Sequence, residues 1–376
     1  MSSSFVIDLV KRAPFLKPEG VAALEQLNPR SPTELQVILM AFPNLGKAGV
    51  LDLPRLSDAN LRLGGAELMS FATEAATMMA AGPPPFGLGA SAPEGALWSY
   101  GSEVPPLASD AGVKTTTDSP ARGGEIDLRA CLPWPVRDQG SRGTCVSFAM
   151  TAIREALDCQ TAKGIVDLSE QFLYWAIKTQ TADPTPGQDG SYLSFGRDAL
   201  ATLGIPDEAL CPYNRLPIQG NPGQAAPGFP STLVSGGAAG RAYTASVYAQ
   251  PAGGPGSAAR VLNEMVTSGR PVAVSLPVFF DPLTAYNNWN TPLGVLYGGV
   301  INPVPTSSVR GGHAVCLTGF SPDAQEPAGG YFVIRNSWGK GWGTSLPDPA
   351  YAAREVGYGQ VSATYVDRYL WEMCRL

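Results

Sequence analysis

From Gly124 onward the chain carries four segments of helical periodicity and, only after them, four strand-like runs. This order limits its fold more than any other feature. "TCVSFAMTAIREALDC", "SEQFLYWAIKTQ", "YLSFGRDALATLG" and "AARVLNEMVTSG" repeat their apolar positions at three and four residues, as a helix with a buried stripe requires. "PVAVSLPV", "HAVCLTGF", "YFVIRNSW" and "TYVDRYLWEMC" are short, rich in β-branched and aromatic residues, and read as strands. Helices followed by strands predict an α+β domain over 124–376; an alternating pattern would have predicted a parallel sheet. The Gly/Pro/Ala-rich "IQGNPGQAAPGFPSTLVSGGAAG" between them is a loop insertion, and no solenoid repeat is visible.

Ahead of this domain the texture is different. "SPTELQVILMAF" opens on a capping Ser31 with Pro32 at the first helical position and Glu34 in the first turn, which predicts a small all-α domain over 1–80. Residues 81–123 then turn Pro-, Gly-, Ser- and Thr-rich, the composition of an extended linker. Its aromatic residues Phe86, Trp98 and Tyr100 suit a segment that packs onto a neighbour.

Charge and cysteine usage narrow the function classes. A net charge of −6 without any dense Lys/Arg block excludes nucleic acid and anionic membranes as expected partners. Asp8, Lys11 and Arg12 interrupt the most apolar stretch near the start, so neither a signal-peptide core nor a spanning helix is expected there, and a cytoplasmic location follows. Six cysteines in 376 residues are too sparse for a disulfide scaffold, and no Cys-x-x-Cys pair supports zinc. Most are expected to be buried small hydrophobes. No metal or cofactor is expected.

One histidine, His313, must do any work that needs an imidazole. Cys145 stands where "QGSRGT" runs into a helical pattern, and the positive end of a helix favours its thiolate. Gln139 lies six residues upstream across small residues that let the loop fold back, so its amide and the Cys145 N–H form a candidate two-donor pocket for an oxyanion. Asn336 ends the strand-like "YFVIR" and opens "NSWGKGWG", where an amide can orient an imidazole under the cover of tryptophan. Taken singly, these are an ordinary buried cysteine, a turn glutamine, a structural histidine and a turn asparagine. The combination carries the chemistry.

That combination resembles the papain-like cysteine peptidases. "PVRDQGSRGTCVSFA" is similar to their oxyanion and nucleophile segment, "GGHAVCLTGF" to the histidine segment and "IRNSWGKGWG" to the asparagine segment, in the same chain order. The resemblance implies a two-lobe fold, a helical lobe beside an antiparallel barrel-like lobe, over 124–376. It assigns Cys145 as nucleophile, His313 as acid and base, Asn336 as its orienter and Gln139 to the oxyanion hole. Gly190, Ser191 and Trp338 become candidate substrate-binding residues, and a protein or peptide the substrate. Secreted members carry a cysteine three residues before the nucleophile, bridged within the same lobe; Arg142 and Gln188 stand at those places here, which suits a reducing compartment and a bacterial-type member. The residue after the nucleophile, commonly tryptophan, is Val146, and "TSLPDPAYAARE" is an insertion near the family's second specificity pocket.

The expected activity is an endopeptidase working through a thioester, made as a zymogen whose linker occludes the cleft. Two alternatives share these residues. One is an acyltransferase or cyclase on the same fold; the other is a catalytically silent binding protein whose helical domain docks a protein partner.

Overall fold

The computed structural model describes residues 87–93, 124–161, 164–215, 246–249, 254, 256–280, 287–290, 299–300, 303, 308–323, 326–343 and 356–376. The helical domain expected over 1–80, nearly all of the linker, the loop insertion after residue 215 and the insertion 344–355 lie outside them.

Three helices come first: α1 Cys145–Gln160, α2 Glu170–Gln180 and α3 Leu193–Leu203. α4 Ser257–Ser268 and α5 Ala363–Tyr369 follow later. The strands are β1 Ile126–Asp127, β2 Val247–Ala249, β3 Val272–Phe280, β4 Ser308–Pro322, β5 Gly330–Arg335, β6 Tyr358–Ser362 and β7 Glu372–Arg375. They form one sheet in the order β2-β7-β3-β4-β5-β6, with β1 on β4, and every pair is antiparallel. This is the expected α+β arrangement.

The two faces of the sheet differ in side-chain size, and that difference places the site. On one face Val272, Val274, Leu276, Val278, Val315 and Leu317 join Val261 and Met265 of α4 in a core of large aliphatic groups. On the other, Ala273, Ala314, Cys316 and Cys374 meet Cys145, Val146, Ala149 and Ile153 of α1. Small residues on a strand let a helix backbone come close. α1 accordingly sinks against β3 and β4 until only Leu157, Cys159 and Gln160 of its sixteen residues reach solvent. A helix buried on nearly all sides must satisfy its own charges, and Arg154 pairs with Asp158 one turn on, 2.7 Å away and almost fully buried.

α3 shows how the two halves are joined. Its N-cap residue, Tyr192, offers no side-chain cap. The carboxylate of Glu372 on β7 takes that place, accepting from the N–H groups of Leu193 at 3.1 Å and Ser194 at 3.4 Å. Ser275 Oγ and Tyr248 OH donate to the same group at 3.1 and 2.8 Å. A negative charge at a helix start is favourable both as a cap and against the helix dipole.

One sequence expectation needs correction. "TYVDRYLWEMC" is not one strand: its first half is α5, begun by Ser362, whose hydroxyl accepts from Tyr365 N at 3.0 Å, and only its end is β7. Aromatic and β-branched residues favour strands in general, but here the cap and the burial of Ala363, Tyr365, Val366 and Tyr369 select the helix. α4 packs with the sheet core and with α5, where Asp367 Oδ1 accepts from Ala258 N. Cys145, Cys211, Cys316 and Cys374 are free and buried, as most of the cysteines were expected to be, and Cys131 and Cys159 form a disulfide that ties the turn before the nucleophile loop to the last turn of α1.

Candidate active site

Cys145 is the first residue of α1 and is fully buried. The N-cap residue Thr144 makes no side-chain cap bond, because its hydroxyl is engaged with Tyr213 OH at 2.6 Å. The open N–H groups of the first turn therefore face the sulfur. From β4, Ala314 N donates to Cys145 Sγ at 3.3 Å, so the residue that follows His313 in the chain touches the thiol across the junction of the two halves.

His313 lies opposite Leu276 in the β3–β4 ladder and is fully buried. Its Nε2 is 2.7 Å from Asn336 Oδ1, and Ser337 N donates to that same oxygen at 2.8 Å. A backbone N–H can only donate, so the oxygen of the Asn336 amide is the atom facing the ring. Nε2 consequently carries the proton and Nδ1, which makes no hydrogen bond among the described residues, holds the lone pair. Trp338 stacks on the ring with centroids 4.4 Å apart, and Trp289 meets it edge-on at 5.2 Å. Both tryptophans are fully buried and keep water from the histidine–amide bond.

The Gln139 amide is oriented as firmly. Its Nε2 donates to the carbonyls of Arg142 at 2.7 Å and Gly87 at 3.1 Å, while its Oε1 accepts from Ser337 Oγ at 2.5 Å. Ser337 thus touches both amides, Asn336 through its N–H and Gln139 through its hydroxyl. Behind them, Arg137 forms ion pairs with Asp167, Glu170 and Glu208 at the junction of the halves. Glu155 accepts from Leu168 N nearby, and burial pushes its carboxyl up to about 7.

Residues 87–93 lie across the site as an extended strand. Ala90 bridges Ser191 in parallel and Gly312 antiparallel. Ser191 N donates to Gly89 O and Ser91 N to Ser191 O, each at 2.8 Å, and the N–H groups of Gly89 and Ala90 both donate to Gly312 O. The Gly87 carbonyl receives Gln139 Nε2 and also Trp338 Nε1, the latter at 3.2 Å. Gly190, Ser191 and Trp338, expected to hold substrate, thus hold part of this chain. A Cβ on Gly87 would sit 2.2 Å from Arg142 O, and one on Gly89 2.1 Å from Gly143 O. Only glycine fits at either place.

Burial decides the electrostatics. Burial pushes the Cys145 thiol up to about 12, although the N–H groups of Ala314, Gly89, Val146 and Cys145 itself pull it down. Burial also lowers His313 to about 4, and its bond to Asn336 offsets only part of that. The ionised thiol expected from the helix N-terminus is therefore not the state of the covered site: desolvation outweighs the dipole.

Residues 123–346 match the sequence model of the papain family of cysteine proteases. The chain belongs to that family. Caricain from Carica papaya is 27% identical over 209 residues, which are 56% of this chain and 49% of caricain. A cysteine protease from Blomia tropicalis is 27% identical over 214 residues, 55% of this chain and 54% of that one. The chain thus spans about half the length of these two curated relatives. Among solved structures, xylellain, a cysteine protease from Xylella fastidiosa, aligns at 20% identity and a TM-score of 0.49, covering 67% of this chain and 85% of xylellain. Digestive procathepsin L 3 of Tenebrio molitor aligns at 20% identity and 0.40, covering 68% of this chain and 70% of that one.

Within this papain-family chain the departures read from the sequence acquire a structural meaning. Arg142 is buried and bonded to Gln171 and to the Asn214 carbonyl, while Gln188 is exposed in a turn. Val146 packs where α1 crosses Gly196 of α3. Trp289, Ser337 and Tyr213 escaped the sequence reading because each lies in or beside a loop and none sits in a spacing that signals chemistry. The insertion 344–355 lies outside the described residues.

Proposed function

We propose that this protein is a cysteine endopeptidase made in a self-blocked form, with Cys145, His313, Asn336 and Gln139 as its working groups. The observation that carries the reading is that the thiol at the first residue of α1 is bonded by Ala314 N, the residue next to an Asn336-bound imidazole with its lone pair on Nδ1, while the Gln139 NH2 faces a peptide carbonyl. In the uncovered site the Cys145 proton passes to His313 Nδ1 and the sulfur attacks the scissile carbonyl carbon. Gln139 Nε2 and the Cys145 N–H hold the resulting oxyanion. As the C–N bond breaks, His313 gives the proton to the leaving amine and a thioester remains. His313 then takes a proton from water, which adds to the thioester and releases the acid and the thiol.

Residues 87–93 supply the block. They take the Gln139 amide, the Gly190–Ser191 wall and the Gly312 carbonyl at once. The natural substrate is a protein or peptide, bound as an extended strand along Ser191 and Gly312 in place of this segment. Docking of a partner by residues 1–80 remains part of the proposal. The cytoplasmic location does too, with the Cys131–Cys159 bond weighing against it, since such bonds persist in oxidising surroundings.

Mass spectrometry of the incubated full chain beside its Cys145→Ala variant tests the reading. Cleavage within 81–123 that depends on the thiol, together with turnover of a fluorogenic peptide, is expected. An intact, inactive chain would overturn it.

A further inference from the structure

The turn "QGSRGT", residues 139–144, joins the oxyanion amide to the nucleophile and is made almost wholly of small residues. Gly140 adopts a φ of +66°, and the hypothetical Cβ of Gly143 would lie 2.9 Å from the Asp189 side chain. The turn's main chain is tied at Gly140 N to Asp138 Oδ1 and at Gly143 N to Asp189 Oδ2. Besides Gln139 itself, its long side chain is Arg142, which is 1% exposed.

We propose that Arg142 is a positioning residue for the Gln139 oxyanion amide, its guanidinium fixing the turn to α2 and to the segment around Tyr213. This rests on the protease reading above. Arg142 Nη1 donates to Gln171 Oε1 on α2 at 2.8 Å and to the Asn214 carbonyl. The guanidinium lies 5.4 Å from the centre of the Tyr174 ring and 5.1 Å from that of Tyr213, within cation–π reach of both. Tyr213 in turn donates its hydroxyl to the Gln139 carbonyl at 2.9 Å and takes the Thr144 hydroxyl at 2.6 Å. At its other end Arg142 offers its own carbonyl to Gln139 Nε2 at 2.7 Å. The residue thus acts on Gln139 twice: directly through its backbone, and through Tyr213 by its side chain.

A planar fork that donates and stacks together is a task for arginine; a lysine ammonium keeps the charge and loses the plane. Burying the guanidinium is costly unless its donors are met, so its place in a turn of glycines is specified by these partners. Nothing in the arrangement has Arg142 touching the reacting atoms.

Arg142→Met and Arg142→Lys are made in the full chain, alone and with Gln139→Ala. Turnover of a fluorogenic peptide amide is normalised to the sites titrated by a peptidyl epoxide. Each Arg142 variant is expected to lower kcat about 10- to 100-fold while KM changes less than about twofold, as for a misplaced oxyanion donor. In the Gln139→Ala background the same change should alter kcat less than about twofold, because the group it positions is gone. An unchanged kcat in a folded variant, or losses that multiply fully in the double variant, would overturn the proposal. Should Arg142→Met fail to fold, the Lys variant carries the same comparison. If the wild-type chain shows no turnover, it is the protease reading that fails.

Discussion

Ser337 donates its hydroxyl to Gln139 Oε1 at 2.5 Å, and both residues are buried. The bond joins the loop before α1 to the end of β5, and Gln139 N returns a 2.8 Å bond to the Ser337 carbonyl. Because Ser337 N also fixes Asn336 Oδ1, one serine sets the orientation of both working amides. Ser337→Ala removes only the bond to the Gln139 side chain. It should lower kcat about tenfold with KM little changed, a fraction of the cost of losing an oxyanion donor outright. Steady-state kinetics on epoxide-titrated enzyme measure it, and an unchanged kcat would refute the orienting role.

The glycines of residues 87–93 give a second expectation. A Cβ on Gly89 would lie 2.1 Å from the backbone oxygen of Gly143, which cannot yield as a side chain can. Gly89→Ala should therefore loosen the cover and raise the initial rate of the full chain, leaving kcat per titrated site untouched. A progress curve with the same lag as wild type would argue that the segment does not block the site.

Acidity should act on the same cover. With the site closed, burial holds His313 at about 4 against an ordinary 6.5. Between those values an opened site binds a proton that the closed one refuses, so the closed form loses stability as the pH falls through this window and is unaffected above it. Buried carboxyls such as Glu155 and Glu372 are raised by burial and act in the opposite sense, so global stability will not track the local opening. Hydrogen exchange over residues 87–93 in the Cys145→Ala protein, corrected for intrinsic rates, should accelerate from pH 7 to pH 5. Identical protection at both would count against the linkage.

Glu372 caps a helix to which it does not belong, through the N–H groups of Leu193 and Ser194. Glu372→Ala leaves those donors, Ser275 and Tyr248 without their common acceptor. A loss of about 2 kcal/mol is expected, the upper range for a cap and more than a surface change would give. Urea titration measures it; a midpoint shift too small for about 0.5 kcal/mol would reduce the carboxylate to a bystander.

The Cys131–Cys159 bond closes a loop with a sequence separation of 28 residues. In the chain-entropy account such a bridge contributes about 3.5 kcal/mol, nearly all through the unfolded state. The Cys131→Ser variant should unfold at correspondingly lower urea, with the site intact once folded. If its midpoint matches that of wild type, the bond contributes nothing.

The helices were legible because periodicity is local: "SEQFLYWAIKTQ" shows it over α2, whose start Ser169 caps by accepting from Phe172 N at 2.9 Å. The residues of the site were legible because a thiol, one imidazole and two amides stand in segments of unusual composition. What the chain order hides is pairing at a distance. Nothing near Cys131 announces Cys159, nothing near Leu193 announces Glu372, and the strand-rich composition of "TYVDRY" outvotes a cap that only burial makes decisive. The thiol's ionisation was misjudged for the same reason, since the groups that bury it come from distant parts of the chain, among them Ala273 and Ala314.

Two glycines and small side chains offer little for pockets to grasp, so residues 87–93 are held largely through their main chain. Such a lock is strong only while it is tethered: attachment to the same chain supplies an effective concentration that a free heptapeptide reaches only in the millimolar range. Severing the tether at one end turns an occupant that dilution cannot remove into one that departs on its own, and makes the change irreversible without any further conformational step.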